Sequence, residues 1–178
     1  MSDVRPSRAL IGKPIISITN GVIIGKVVDV LIDPGTVQVA ALVTSKGGLL
    51  MQRGQMEAIP AKEVQVWGQD AILVSRPDVI AKQDELPDHE RWLSVVDRVK
   101  GRDVVSIDGT RIGQLNDIVL NTQGQLVAYD LAQVFVQGPL AETRSISAEL
   151  THSFGRDVLL VDIVQTDEIK TEEQPEES

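Results

Sequence analysis

The chain has 178 residues, 42% of them apolar, with no cysteine and a formal net charge of −9. That is enough apolar material for one medium core or two small ones. The missing cysteines exclude a disulfide framework and thiolate metal sites and leave a reducing cytosol as the simplest compartment, while the lack of a basic patch with interleaved aromatics argues against direct nucleic-acid binding.

At the start, residues 1–9 carry two arginines with no long apolar stretch behind them and do not read as a secretory signal. No segment approaches the roughly 20 apolar residues of a spanning helix; the best runs, such as residues 39–43, are strand-sized. Any membrane association would then be peripheral, through a partner. Residues 14–19, 26–33, 37–45 and 71–74 are short, rich in Val and Ile and bounded by turn residues, the pattern of strands. Turns are expected at Asn20-Gly21, at Asp33-Pro34-Gly35, at Asp108-Gly109 and at Gly124, because Gly and Asn tolerate positive φ. Residues 27–32 are apolar on both faces, which suits either a barrel strand covered on its outer side or a strand with a bulge. Between Lys46 and Gly54, Leu49, Leu50 and Met51 sit among glycines with Arg53 close behind. Exposed, that cluster would be a docking surface; buried, it would be a fourth barrel strand.

Residues 76–96 break the strand pattern. Pro87 followed by Trp92, Val95, Val96 and Val99 at i, i+3, i+4 and i+7 predicts a short amphipathic helix near 88–97 that packs on a barrel. Trp92 is a partner-binding candidate there, set against the plainer role of a connector residue buried on its own barrel. Further strands are expected at 103–107, 113–121, 126–136 and 158–162. From 165 onward six acidic residues against Lys170 sum to −5, so residues 164–178 read as a solvated acidic tail.

The second set of strands repeats the first. Residues 10–18 align with 99–107 at an offset of 89, placing Gly12 on Gly101 and Ser17 on Ser106. At an offset of 88, Gly25 meets Gly113 and Asp29 meets Asp117; at 87, Ile59 meets Ile146 and Leu73 meets Leu160. A period this long exceeds the 20–50 residues of solenoid repeats and indicates duplication of a whole small domain.

Three stretches, Leu10-Ile-Gly-Lys-Pro-Ile15, Gly25-Lys-Val-Val-Asp-Val-Leu-Ile-Asp33 and Ile59-Pro-Ala-Lys-Glu-Val64, resemble the PRC-barrel family. The second copy matches through Val99-Lys-Gly-Arg-Asp-Val104, Gly113-Gln-Leu-Asn-Asp-Ile-Val-Leu-Asn121 and Ile146-Ser-Ala-Glu149. That family includes the cytoplasmic domain of the photosynthetic reaction centre H subunit and the C-terminal domain of ribosome maturation factors. The resemblance implies an all-β chain of two tandem barrels, at 8–75 and 97–163, joined by a 76–96 connector with a short helix. It further implies a protein-binding role, as an adaptor of a photosynthetic membrane complex or as a small-subunit assembly factor, with no catalytic residue to carry over. A small-molecule carrier using a pocket between barrels is a third possibility, since fold alone does not fix function.

Candidate chemistry is sparse. Asp29 and Asp117 lie in apolar strands at the same repeat position, where a carboxylate acting as an acceptor for backbone donors is the ordinary finding. His89 and His152 lack the spacing of a metal pair or catalytic dyad, and Ser17 and Ser106 have no base beside them in sequence. The Gly21-to-Gly25 stretch is not followed by the Lys-Ser/Thr of a phosphate loop. No cofactor, metal or catalytic residue is therefore expected.

Overall fold

The computed structural model describes residues 3–45 and 56–164, and in them each repeat forms the main path of one sheet, with β1 and β9 added to the sheet of the other repeat. In chain order the strands of the first part are β1 (Val4–Pro6), β2 (Pro14–Ser17), β3 (Ile23–Asp33), β4 (Gln38–Ser45), β5 (Glu57–Pro60), β6 (Val64–Trp67), β7 (Ile72–Val74), β8 (Ala81–Lys82) and β9 (Leu93–Ser94). They are followed by β10 (Asp103–Ser106), β11 (Arg111–Asn121), β12 (Leu126–Val134), β13 (Ser145–Ser147), β14 (Thr151–Phe154) and β15 (Val158–Val161). All eight strands expected from the sequence are present, as β2, β3, β4, β7, β10, β11, β12 and β15. The first sheet runs β6-β7-β2-β3-β4-β5-β8, and the second runs β13-β12-β11-β10-β15-β14. Each contains one parallel pair, β2 with β7 and β10 with β15, among antiparallel ladders.

The long strands β3 and β11 give each barrel its curvature. Their ladders to β4 and β12 are broken by register shifts, between Val27 and Asp29 in one and around Leu115 in the other, and such bulges bend a strand and raise its twist. Gly25 and Gly113 sit just before these bends. A Cβ on Gly113 would lie 2.2 Å from the Gln133 carbonyl oxygen, and one on Gly25 would lie 3.0 Å from that of Ser45. The matched glycines are thus required by close backbone approach.

A single cluster of buried side chains runs through both repeats, with Ile15, Leu42 and Ile59 fully buried in the first and Ile112, Ile118 and Tyr129 in the second. Each such aliphatic side chain contributes about 1.5–3 kcal/mol relative to exposure. On the first barrel a second cluster, Leu31, Ala41, Val43 and Ala58, lies outside the core and is covered by Leu86 and Trp92. Both readings of residues 27–32 therefore hold: β3 is bulged, and its outer face is covered.

Two expectations are corrected. The helix predicted near 88–97 forms as two separate turns, His89–Arg91 and Val95–Val99, split by the extended pair β9. Pairing of Leu93 and Ser94 with β3 outweighs the helical periodicity of Trp92, Val95, Val96 and Val99. In the turn after β3, Val37 rather than Gly35 takes the left-handed conformation, at φ 55°, whereas Gly21, Gly109 and Gly124 do so as expected.

Candidate functional site

The barrels are joined by a reciprocal exchange of the segments that precede them. β1, leading into the first barrel, pairs with β11 of the second, with Val4 opposite Asn121 and Pro6 opposite Val119. β9, leading into the second barrel, pairs with β3 of the first, with Leu93 opposite Ile32 and Ser94 opposite Leu31. Each long strand thus carries its own hairpin partner along one half of an edge and the other repeat's lead-in along the rest.

The duplicated aspartates lie where the two segments meet the barrels. Asp117 is 3% exposed. Its Oδ1 accepts from the Ser7 hydroxyl and from the Ile118 amide at 2.7 Å, and its Oδ2 accepts from the Arg8 amide at 2.9 Å. Asp29, 8% exposed, repeats the arrangement: its Oδ1 accepts from the Val30 amide at 2.7 Å and the Val96 amide at 3.4 Å, and its Oδ2 from the Ser94 hydroxyl. Burial pushes the Asp29 carboxyl above the usual range, against the Ser94 hydroxyl and the two amides, which pull it down. The Arg8 guanidinium adds longer contacts to Asp117, 3.8 Å, and Asp130, 3.6 Å. These carboxylates are latches for an exchanged segment, consistent with the backbone-acceptor role expected of them.

Between the crossing segments lies a pocket of about 130 Å³, walled by Ile11, Val95 and Val96, with Arg8 and Lys100 also lining it and the two aspartates at its base. Two further clefts flank the junction. One of about 590 Å³ is lined by Arg5, Lys13, Trp67 and Thr122 among others; the other, about 480 Å³, by Pro34, Arg91, His152 and Phe154. In the first cleft the cations are already engaged: Arg5 donates to the carbonyls of Trp67 and Gly68 at 2.8 and 2.7 Å, and Lys13 donates to that of Gln69. Trp67 lies on the Gly124 turn of the second barrel, where a Cβ would stand 2.1 Å from the indole.

Of the residues singled out in the sequence, Leu49, Leu50, Met51 and Arg53 lie outside the described residues. Trp92 is half-buried over Leu31, Ala41, Val43 and Ala58 of its own barrel. His89 contacts the Leu86 carbonyl at 2.8 Å, and His152 is paired with Asp162 at 2.8 Å on the exposed β14–β15 edge. Ser17 and Ser106 are buried in hairpin turns, bonded to Thr19 and to Asp108 and Thr110. Sequence reasoning did not single out Ser7, Ser94, Arg8 or Lys100. The segments that pair, 4–6 and 93–94, share no residue identity, so only the repeat spacing could have linked them.

Among the described residues no helix is long and apolar enough to cross a membrane, and no group of three or more His, Asp or Glu is placed to hold a metal ion. A sequence model of the PRC-barrel domain matches the chain twice, over residues 3–80 and 96–168. No curated protein matches it.

Proposed function

The chain belongs to the PRC-barrel family, with two tandem copies of its domain, and from that premise we propose that it is a non-enzymatic protein-binding module that docks onto a larger assembly. The observation that carries this reading is the reciprocal exchange. Each barrel grips an extended segment foreign to it, by strand pairing along β3 or β11 and by a buried carboxylate that accepts that segment's amide and a serine hydroxyl. Strand addition of this kind is a common mode of peptide recognition. The buried carboxylates are occupied in this task, which supports a binding role over an acid–base one. The resemblance to the reaction-centre subunit and to ribosome maturation factors points to two classes of assembly, a photosynthetic membrane complex and the small ribosomal subunit.

Residue-specific photocrosslinking in the native cell tests the proposal. The expected outcome is crosslinks from barrel surfaces to one assembly, membrane-bound or ribosomal, at reproducible positions. Crosslinks confined to abundant background proteins would overturn it. A second reading, a small-molecule carrier, is favoured by the cleft of about 590 Å³ between the barrels, which falls in the usual size range of ligand pockets. Thermal stabilisation by one member of a metabolite panel, lost on Trp67→Ala, would support that reading; a flat panel would remove it.

A further inference from the structure

The hairpin between β2 and β3 turns through Asn20-Gly21, and every residue from Ile18 to Ile23 is exposed. Its tip carries no charge, since no charged residue lies between Lys13 and Lys26. The Asn20 side-chain oxygen accepts from the Val22 amide at 3.3 Å. Such a turn closes a ring around the Asn20–Gly21 peptide, which brings the side-chain carbonyl carbon up to the Gly21 nitrogen. The Val22 amide also faces the oxygen on which negative charge develops when that carbon is attacked. A Cβ added at Gly21 would meet nothing within 4 Å, so the space beside the nitrogen is open. One bond opposes reaction, that from the Gly21 amide to the Ser17 carbonyl at 2.9 Å. Breaking it opens only the exposed tip and uncovers no core side chain.

The other two asparagines of the chain are held in place, and neither precedes a glycine. Asn116 lies within β11 with its NH₂ on Asp130 at 2.7 Å, and Asn121 is bonded through both ends of its side-chain amide to Gln123 and Gln125. In the second repeat Asp108-Gly109 fills the place of Asn20-Gly21, and the Asp108 Oδ1 accepts from the Thr110 amide at 3.3 Å, as Asn20 does from Val22. The fold thus already accommodates an aspartate at this turn.

We propose that Asn20 is a self-modification site of the folded chain, converted through a succinimide to aspartate and isoaspartate. The Gly21 backbone nitrogen gives up its proton to hydroxide and attacks the Asn20 side-chain carbonyl carbon. A new C–N bond closes the ring, the bond to the side-chain nitrogen breaks, and that nitrogen takes a proton from water and leaves as ammonia. Water then opens the ring at either carbonyl. One opening gives aspartate with the chain path unchanged; the other gives isoaspartate, in which the chain runs through the former side-chain carbon. Water is the only co-reactant, and nothing is oxidised or reduced. Either product sets one negative charge among the exposed Ile18, Val22 and Ile23, on a tip that had none. Isoaspartate also lengthens the backbone by one atom within the turn.

The test incubates the full, folded chain in heavy-oxygen water at neutral and at mildly alkaline pH. Digestion in ordinary water and peptide mapping by mass spectrometry follow, so that conversion during incubation is told from conversion during work-up. Enzymatic methylation reads the isoaspartate. The expected result is uptake of heavy oxygen at Asn20, faster at the higher pH, with isoaspartate present among the products. Conversion there should run at least about tenfold faster than at Asn116 or Asn121. Gly21→Ala, which crowds the attacking nitrogen, should slow it about as much, and Asn20→Ser, which leaves the glycine in place, should remove the signal. Equal conversion at all three asparagines, conversion only in chain unfolded by urea, or an unchanged rate in Gly21→Ala would each overturn the proposal.

Discussion

Asp29 and Asp117 occupy the same repeat position but use their oxygens differently, and the difference predicts opposite tolerance to the same substitution. At Asp29 both backbone amides reach Oδ1 and only the Ser94 hydroxyl reaches Oδ2. An asparagine keeps Oδ1 as acceptor and turns its amide toward Ser94, whose oxygen can accept. At Asp117 backbone amides reach both oxygens, so an asparagine there must point its NH₂ at one of them. Asp117→Asn should therefore cost about 1–3 kcal/mol in denaturant unfolding, and Asp29→Asn close to nothing at neutral pH. The Asp29 carboxyl is also raised by burial above its ordinary 3.8, so the folded state holds its proton more tightly than the unfolded state does. Its contribution is fully present below the ordinary aspartate range and is lost as pH rises through the raised value. Stability measured against pH across that window should thus fall less steeply in Asp29→Asn than in the parent; an unchanged slope would refute the assignment. Tyr129, the one tyrosine of the chain, is pushed up to about 12 by burial, partly countered by its 2.6 Å bond to Thr151. A near-ultraviolet absorbance titration should show no phenolate through the ordinary range near 10, and its appearance there would mean the ring is not buried. Because the folded state holds this proton too, stability falls as pH rises from the ordinary value toward about 12.

At the scale of the elements, the bends of β3 and β11 show which sequence signals carried structural information. The aligned Gly25 and Gly113 were visible as a repeated pair, and the structure supplies the reason, close backbone approach, with unequal severity. Alanine at Gly113 meets the Gln133 carbonyl at 2.2 Å and must part β11 from β12, whereas at Gly25 the nearest atom is 3.0 Å away. Gly113→Ala should cost about 3 kcal/mol and Gly25→Ala about 1 kcal/mol, read from the midpoints of denaturant unfolding; equal costs would show that the clash relaxes. Strands rich in Val and Ile were legible from pattern alone. Those that were not, such as Ser145–Ser147, Thr151–Phe154 and Val4–Pro6, are three or four residues long and carry Ser, His or Pro. Their conformation is imposed by the ladder they join rather than by local preference. The connector misled for a related reason: Trp92, Val95, Val96 and Val99 keep helical spacing, yet pairing of Leu93 and Ser94 with β3 holds the chain extended between two turns.

At the scale of the whole molecule, the duplication was legible and the way its halves interlock was not. The latches join groups far apart in sequence, Ser7 to Asp117 and Ser94 to Asp29, and much of the bonding comes from backbone amides, which leave no side-chain signature. Interlocking has a thermodynamic consequence. A core cluster that runs through both repeats, tied by two exchanged segments, should unfold as one unit, and the chain carries probes to check this. Both tryptophans, Trp67 and Trp92, belong to the first sheet or its outer cover, while Tyr129 lies in the core of the second. In the intact chain tryptophan fluorescence and tyrosine absorbance should report coincident transitions. Deleting residues 1–8 removes β1, the Ser7 hydroxyl and Arg8 amide that bond Asp117, and the Arg5 bonds to the Trp67 and Gly68 carbonyls, while β9 stays in place on the first barrel. The lost β1–β11 pairing and the two lost bonds to Asp117 outweigh the two Arg5 bonds, so the larger cost falls on the second barrel. The tyrosine transition should therefore move to lower denaturant ahead of the tryptophan transition. If both probes shift together by the same amount, the barrels are coupled mainly through the shared core, and the exchanged arm is only an accessory to it.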